Sequence, residues 1–358
     1  RSDKNIGMTV YLLNLFSIPL YALLFYFAGI DNRKKNRILC GLAGLQLFLT
    51  AALRATTVGG DLENYIPAFL TISQIPWSEL WMYPWEYGYV LLNKILSLVS
   101  FDERVLLVGV GLVVTLGYVR FIRVYSKTAW LSLFLLIAMG YYITSLSMLR
   151  QSLAIVCVLN SIQYVENRNF RKFALCVLIA VCFHYTAIAF FLLYPLSRFK
   201  ISIGYFICLL AFAFLLSVFA GKFVLLQLIE KYYSIYEGKM ESEGGYSMLL
   251  LLLAITFGGL LVRQYNHIAD RRFDVFCQML IVACCLQLFS LQFSLFARVV
   301  LYYQIAIVVF IPEVLSFIKD RYLAFFCKMG VVMGAVSFFI WIYLANNSSG
   351  ILPYAFFW

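Results

Sequence analysis

Apolar stretches long enough to cross a lipid bilayer recur along this chain, beginning with residues 8–29. A helix needs about 20 such residues to span roughly 30 Å of hydrocarbon. Only helices and closed barrels satisfy their own backbone polar groups there. A barrel strand alternates apolar and polar residues, whereas these stretches are continuous. The sequence therefore predicts an all-α, polytopic integral membrane protein. Its composition agrees: 63% of 358 residues are hydrophobic and 13% are charged, against roughly 25% charged in a soluble domain. A net charge of +11 would suggest nucleic acid in a soluble protein. Here most basic residues fall in short loops, where they set orientation and meet anionic headgroups. Membrane lipids are expected partners and nucleic acid is not.

The densest basic stretch, Asp31-Asn32-Arg33-Lys34-Lys35-Asn36-Arg37, reads as a cytoplasmic loop, which puts the N-terminus outside. Residues 8–29 are too long for the apolar region of a cleavable signal. Residues 38–53 form the second span and exit at Arg54. Residues 55–85 then read as a long external segment. Pro67, Pro76 and Pro84 argue against a spanning helix, and Trp77, Trp81 and Trp85 argue for placement at headgroup depth. Residues 86–100 are apolar but short, with Lys94 in their middle, and read as re-entrant or interfacial. Spans follow at 105–119, 130–144 and 148–165. Positive-inside parity then asks for two short helices over 173–196, meeting near His184. Residues 201–220 lead out to a second external segment, 221–246, carrying Tyr232, Tyr233 and Tyr236. Residues 247–262, 275–290, 299–317 and 322–344 complete the scheme. It amounts to a single transmembrane domain over 1–358 with roughly eleven to thirteen membrane segments. The nine cysteines show no zinc-type spacing and read as apolar fillers.

This sorting leaves few ionisable groups at the external ends of helices: Arg54, Arg150 and Arg298, with His184, Asp61 and Glu86. An arginine within the bilayer costs about 2.5 kcal/mol or more, so it faces a cavity or a partner. Guanidinium is permanently charged and forks onto phosphate oxygens. Three of them facing one cavity would make an anion site. Each residue also has a structural alternative. Arg54 at a helix end would snorkel to headgroups, Arg150 would form an ion pair, and Arg298 would meet helix-end carbonyls. His184 would be a core histidine, Asp61 a turn residue, and Glu86 a cap or pair at a helix start. His267, in a basic loop, reads as solvated. No metal site, nucleotide-type phosphate loop or nucleophile elbow is present in the sequence, and no cofactor is expected.

Five motifs in order resemble the EpsG-like, Wzy-type polysaccharide polymerases of bacteria. They are Arg54…Gly59-Gly60-Asp61…Tyr65, Glu86-Tyr87-Gly88-Tyr89, Arg150-Gln151-x-Leu153-Ala154, Phe183-His184-Tyr185-Thr186-Ala187 and Arg298-x3-Tyr302. The Arg-Gln-x-Leu-Ala and Phe-His motifs are the most specific. The chain departs at Gly60-Asp61, where such proteins often read Gly-Thr-Asp.

The resemblance implies a GT-C-like membrane glycosyltransferase of the inner membrane, acting on O-antigen, capsule or exopolysaccharide repeat units. Its donor and acceptor would be undecaprenyl-pyrophosphate-linked oligosaccharides, met on the periplasmic face, with a chain-length regulator as a further partner. Arg54, Arg150, Arg298, Gln151, Glu86 and Tyr302 would bind substrate. His184, Asp61 and Arg150 would serve catalysis, without a metal. The base stays open among His184, Asp61 and Glu86; an unperturbed imidazole, titrating at about 6.5, suits that task best. A lipid-linked oligosaccharide flippase and an O-antigen ligase are the rival readings. Internal repeats would favour the first, and a larger external domain the second.

Overall fold

A computed structural model describes residues 2–223, 245–293, 295–347 and 349–358. The tyrosines of the second external segment, Tyr232, Tyr233 and Tyr236, lie outside the described residues. Among those described, every regular element is a helix. Six helices are long and apolar enough to cross a membrane: Met8–Phe27, Arg104–Tyr125, Gly245–Tyr265, Arg271–Ser290, Phe296–Ser316 and Arg321–Ala345. A seventh candidate is the pair Ala129–Ala138 and Tyr141–Ser147, bent by 48°. The chain is thus an all-α, multi-pass membrane protein. The expected count of eleven to thirteen also included segments that are too short or too polar to pass on length and apolarity alone.

The helices gather into two compact units. The first holds α1 (Ser2–Phe27), α2 (Asn32–Ala52), α3 (Leu62–Gln74), α4 (Tyr87–Ser97), α5 (Arg104–Tyr125), α6 (Ala129–Ala138), α7 (Tyr141–Ser147) and most of α8 (Leu149–Glu166). The end of α9 (Phe170–Val181) belongs to it, as do a late helix, Arg321–Phe339, and the residues that follow. Within it α2 packs on α5, α1 on α2 and α6, and α3 on α4.

The second unit holds α10 (Leu193–Leu196), α11 (Ile203–Phe223), α12 (Gly245–Tyr265), α13 (Arg271–Ser290), α14 (Leu295–Gln304) and α15 (Ile307–Ser316). Its centre is α13, which packs against α11, α12, α14 and α15. The helix Arg321–Phe339 of the first unit is α16. His267 is exposed, as expected of a loop histidine.

Three local features differ from the sequence reading or explain what it left open. The basic stretch 33–37 is not a loop: it forms the opening turns of α2, whose helix starts at Asn32. The span expected over 130–144 is broken at Gly140, which sits at φ +79° where a side chain would run into the ring of Tyr343. Glycine alone fits both demands. Lys94 is buried rather than exposed. Its ammonium donates to the carbonyl of Ser73 at 2.8 Å, at the carbonyl-rich C-terminal end of α3. That contact explains the cation in an apolar stretch and ties α4 to α3. With 11 residues, α4 is about 16 Å long and too short to span.

The chain after α16 folds back over the loop between α2 and α3. Ala55 N–H donates to Ala355 O (2.8 Å) and Phe357 N–H to Leu53 O (3.2 Å). Gly59 N–H and Gly60 N–H donate to Gly350 O and Ser349 O, each at 3.0 Å. The side-chain oxygen of Asn347 accepts from the N–H groups of Ile351 and Leu352, which holds the return turn.

Candidate active site

Three helix breaks position the polar cluster of the first unit. Glu86 occupies the N-cap position of α4 but its side chain makes no capping bond, so both carboxylate oxygens remain for other partners. Arg150 is the second residue of α8, just after the break at Met148 (φ −86°, ψ 71°). His184 closes the break after α9 and opens the 3₁₀ helix Tyr185–Leu192. The first and third breaks are joined at Gly88, whose N–H donates to Cys182 O at 2.8 Å. A Cβ on residue 88 would lie 2.7 Å from that oxygen, so the approach requires glycine.

The result is a carboxylate held between a cation and an imidazole. Arg150 Nη1 donates to Glu86 Oε2 at 2.6 Å. His184 Nδ1 lies 3.0 Å from Glu86 Oε1, which also accepts the N–H of Tyr185 at 3.2 Å. Burial alone would push the Glu86 carboxyl up; the hydrogen bond to His184 and the charge of Arg150 outweigh it and hold the carboxyl down at about 2. An ionised carboxylate cannot donate, so His184 carries its proton on Nδ1. In the neutral imidazole Nε2 is then the lone-pair acceptor. It is buried and has no hydrogen-bond partner among the described residues.

Arg150 carries positive charge near the N-terminal end of α8, where the helix dipole opposes it. Aromatic faces and Glu86 offset this. Its guanidinium carbon stands 4.4 Å from the Trp85 ring centroid and 5.7 Å from that of Tyr65. Trp85 in turn meets Tyr65, Tyr83 and Tyr89 at 5.5–5.8 Å. Sequence reasoning took Trp85 for an interfacial anchor, and its place directly before Glu86 was the available sign of a second role. The side chains of Arg150, Glu86 and His184 are 21%, 12% and 5% exposed. The cluster is therefore largely shielded, with Arg150 its most open member.

The remaining expected residues are placed as follows. Asp61 donates its backbone N–H to Ser147 Oγ at 3.1 Å, and its carboxylate does not cap α3. Gln151 is buried beside Arg150 in sequence. Arg54 sits among tyrosine hydroxyls. It is 2% exposed, with the hydroxyls of Tyr142, Tyr11 and Tyr354 as its electrostatic neighbours. The returning C-terminal segment covers its backbone through the bridge with Phe356. Arg298 and Tyr302 belong to α14 in the second unit, four residues apart and so on one helix face. Arg298 is half-buried and Tyr302 fully buried. Among the described residues no three His, Cys, Asp or Glu side chains group closely enough to hold a metal ion.

The depressed Glu86 carboxyl has a consequence for acid stability. An unfolded glutamate titrates at about 4.3, so around and below that pH the unfolded chain binds the proton more readily than the folded one. The contribution of this carboxylate is complete above roughly pH 5 and is lost as the pH falls toward 2. The melting temperature of the wild type should therefore drop more steeply between pH 5 and pH 3 than that of Glu86→Gln. Parallel curves would contradict the assignment.

Comparison with known families gives a match of the EpsG family model to residues 37–356, which takes in every site residue named above. Neither the curated proteins nor the solved structures contain a significant match. On a match that spans most of its length, the chain belongs to the EpsG family.

Proposed function

We propose that the chain is a membrane-embedded glycosyltransferase that polymerises undecaprenyl-pyrophosphate-linked oligosaccharide repeat units on the periplasmic face of the bacterial inner membrane. Membership of the EpsG family carries a polysaccharide polymerase-related function. The observation that supports the finer reading is the Glu86–His184 pair, whose second imidazole nitrogen has no hydrogen-bond partner among the described residues.

In this reading His184 Nε2 takes the proton of an acceptor sugar hydroxyl. The hydroxyl oxygen attacks the anomeric carbon at the reducing end of the growing chain. A glycosidic bond forms there, the bond from that carbon to phosphate oxygen breaks, and undecaprenyl pyrophosphate leaves with the electron pair. Glu86 acts through His184: it fixes the tautomer and stabilises the imidazolium that forms. Arg150, the most open member of the cluster, turns its charge toward the departing pyrophosphate. Fixed charges of this kind supply much of the rate in acyl and phosphoryl transfer. Glu86 therefore passes from candidate base to positioning residue. Asp61 remains a second carboxylate at the start of α3 with no part in the pair. Arg298 and Tyr302 of α14 remain proposed substrate-binding residues, and a chain-length regulator would act on the product.

Purified protein incubated with lipid-linked repeat units tests the reading. A ladder of products extended by whole repeat units is the expected result. Transfer to a different acceptor would identify a ligase. Movement of the lipid across vesicles with no covalent change would identify a flippase.

A further inference from the structure

Arg54 is a permanently charged group buried without a counter-charge among the described residues. It is 2% exposed, and guanidinium does not lose its proton in proteins. Among the described residues none of the ion pairs involves it. The three tyrosines around it are neutral, and each gives its hydroxyl proton to a backbone carbonyl. Tyr11 donates to Ile351 O (3.3 Å), Tyr142 to Leu47 O (2.7 Å) and Tyr354 to Thr50 O (3.0 Å). Their oxygens can accept from the guanidinium but bring no negative charge. Arg54 Nε is buried and makes no hydrogen bond. A buried ion left this way costs several kcal/mol.

Beside Arg54 lies a chamber of about 10 Å³. Thr115, Ser145 and Tyr142 supply its polar wall, and Ala51, Val114 and Leu149 are among its apolar side chains; Ser145 and Tyr142 donate their hydroxyls to Tyr142 O and Leu47 O, which leaves Thr115 as the hydroxyl donor of the wall. That volume is at the lower limit for one water molecule; a monatomic anion enters as the apolar side chains of the wall give slightly, and a phosphate or pyrophosphate is too large. Water would satisfy Nε but would leave the charge uncompensated. An anion does both.

We infer that the Arg54 chamber binds a single halide-sized anion, chloride under physiological conditions. The ion accepts from Arg54 Nε and from the hydroxyl of Thr115. It neutralises the guanidinium beneath the layer where residues 53–55 pair with residues 355–357. None of Arg150, Glu86 and His184 lines the chamber, and it holds its ion whatever reaction the chain performs.

Thermal unfolding of the full chain in detergent, at constant ionic strength, tests this. Replacing gluconate by chloride or bromide should raise Tm saturably, by roughly 4 °C at a hundred-fold excess over Kd. Arg54→Gln should melt at a temperature independent of halide, and radioactive chloride should bind the wild type at about one ion per chain. A flat response in the wild type overturns the inference. So does an equal response in Arg54→Gln, or phosphate acting as well as chloride. Should Arg54→Gln fail to fold, bromide density in the wild-type chamber carries the inference, and a chamber holding only water overturns it.

Discussion

Replacing His184 with alanine should reduce polymer formation by about 10²–10⁴-fold, the usual contribution of a positioned general base. The loss should appear in turnover of lipid-linked repeat units rather than in protein level. The imidazole is small, sits at a helix break, and makes one side-chain bond, to Glu86. Added imidazole should restore part of the activity, because the alanine leaves room for it and Glu86 remains to orient it. A structural histidine would show neither behaviour. Polymer of normal length from His184→Ala would remove the base assignment. It would leave the family and the fold untouched.

Arg150→Met should cost both stability and activity. Removing one partner of a largely shielded ion pair strands the other charge, at a cost of roughly 2–5 kcal/mol. The carboxylate of Glu86 would be left with His184 and the Tyr185 N–H alone. Pairing the change with Glu86→Leu should recover most of the melting temperature, since removing both charges removes the stranded one. It should recover none of the activity. Arg150→Lys should fall between, because an ammonium neither forks nor stacks as a guanidinium does on Trp85. If Arg150→Met melted like the wild type, the pair would be a surface contact of little weight.

The helical membrane class was legible because it follows from long apolar stretches and little else. The break near His184 was legible for a similar reason: loop charges on either side demanded an even number of crossings. The polar residues themselves were conspicuous against their surroundings, which is why Arg150, His184 and Glu86 all stood out. Their pairing was not legible. Glu86 lies 64 residues from Arg150 and 98 from His184, and the contact that joins them runs through backbone at Gly88 and Cys182. Backbone contacts leave no pattern in side-chain spacing beyond one glycine. The enclosure of Arg54 was hidden for the same cause. Its neighbours come from residues 11, 142 and 354, and nothing local in residues 346–358 announces that they return to residues 53–60. Lys94 was the opposite case. Its oddity was visible at once, and only the α3 carbonyls could explain it.

The return of the last residues also sets an order of assembly. Bacterial or not, a ribosome adds roughly 5–20 residues per second. Glu86 therefore waits several seconds for Arg150 and longer for His184, as an unmatched carboxylate at the membrane. The contacts of Tyr11 and Thr50 with residues 351 and 354 span 340 and 304 positions, so they close long after their first partners have been made. A nascent or prematurely ended chain can insert most of its helices and still lack the floor beneath Gly59 and Gly60. Until residues 349–357 are in place, residues 53–60 lack those backbone partners.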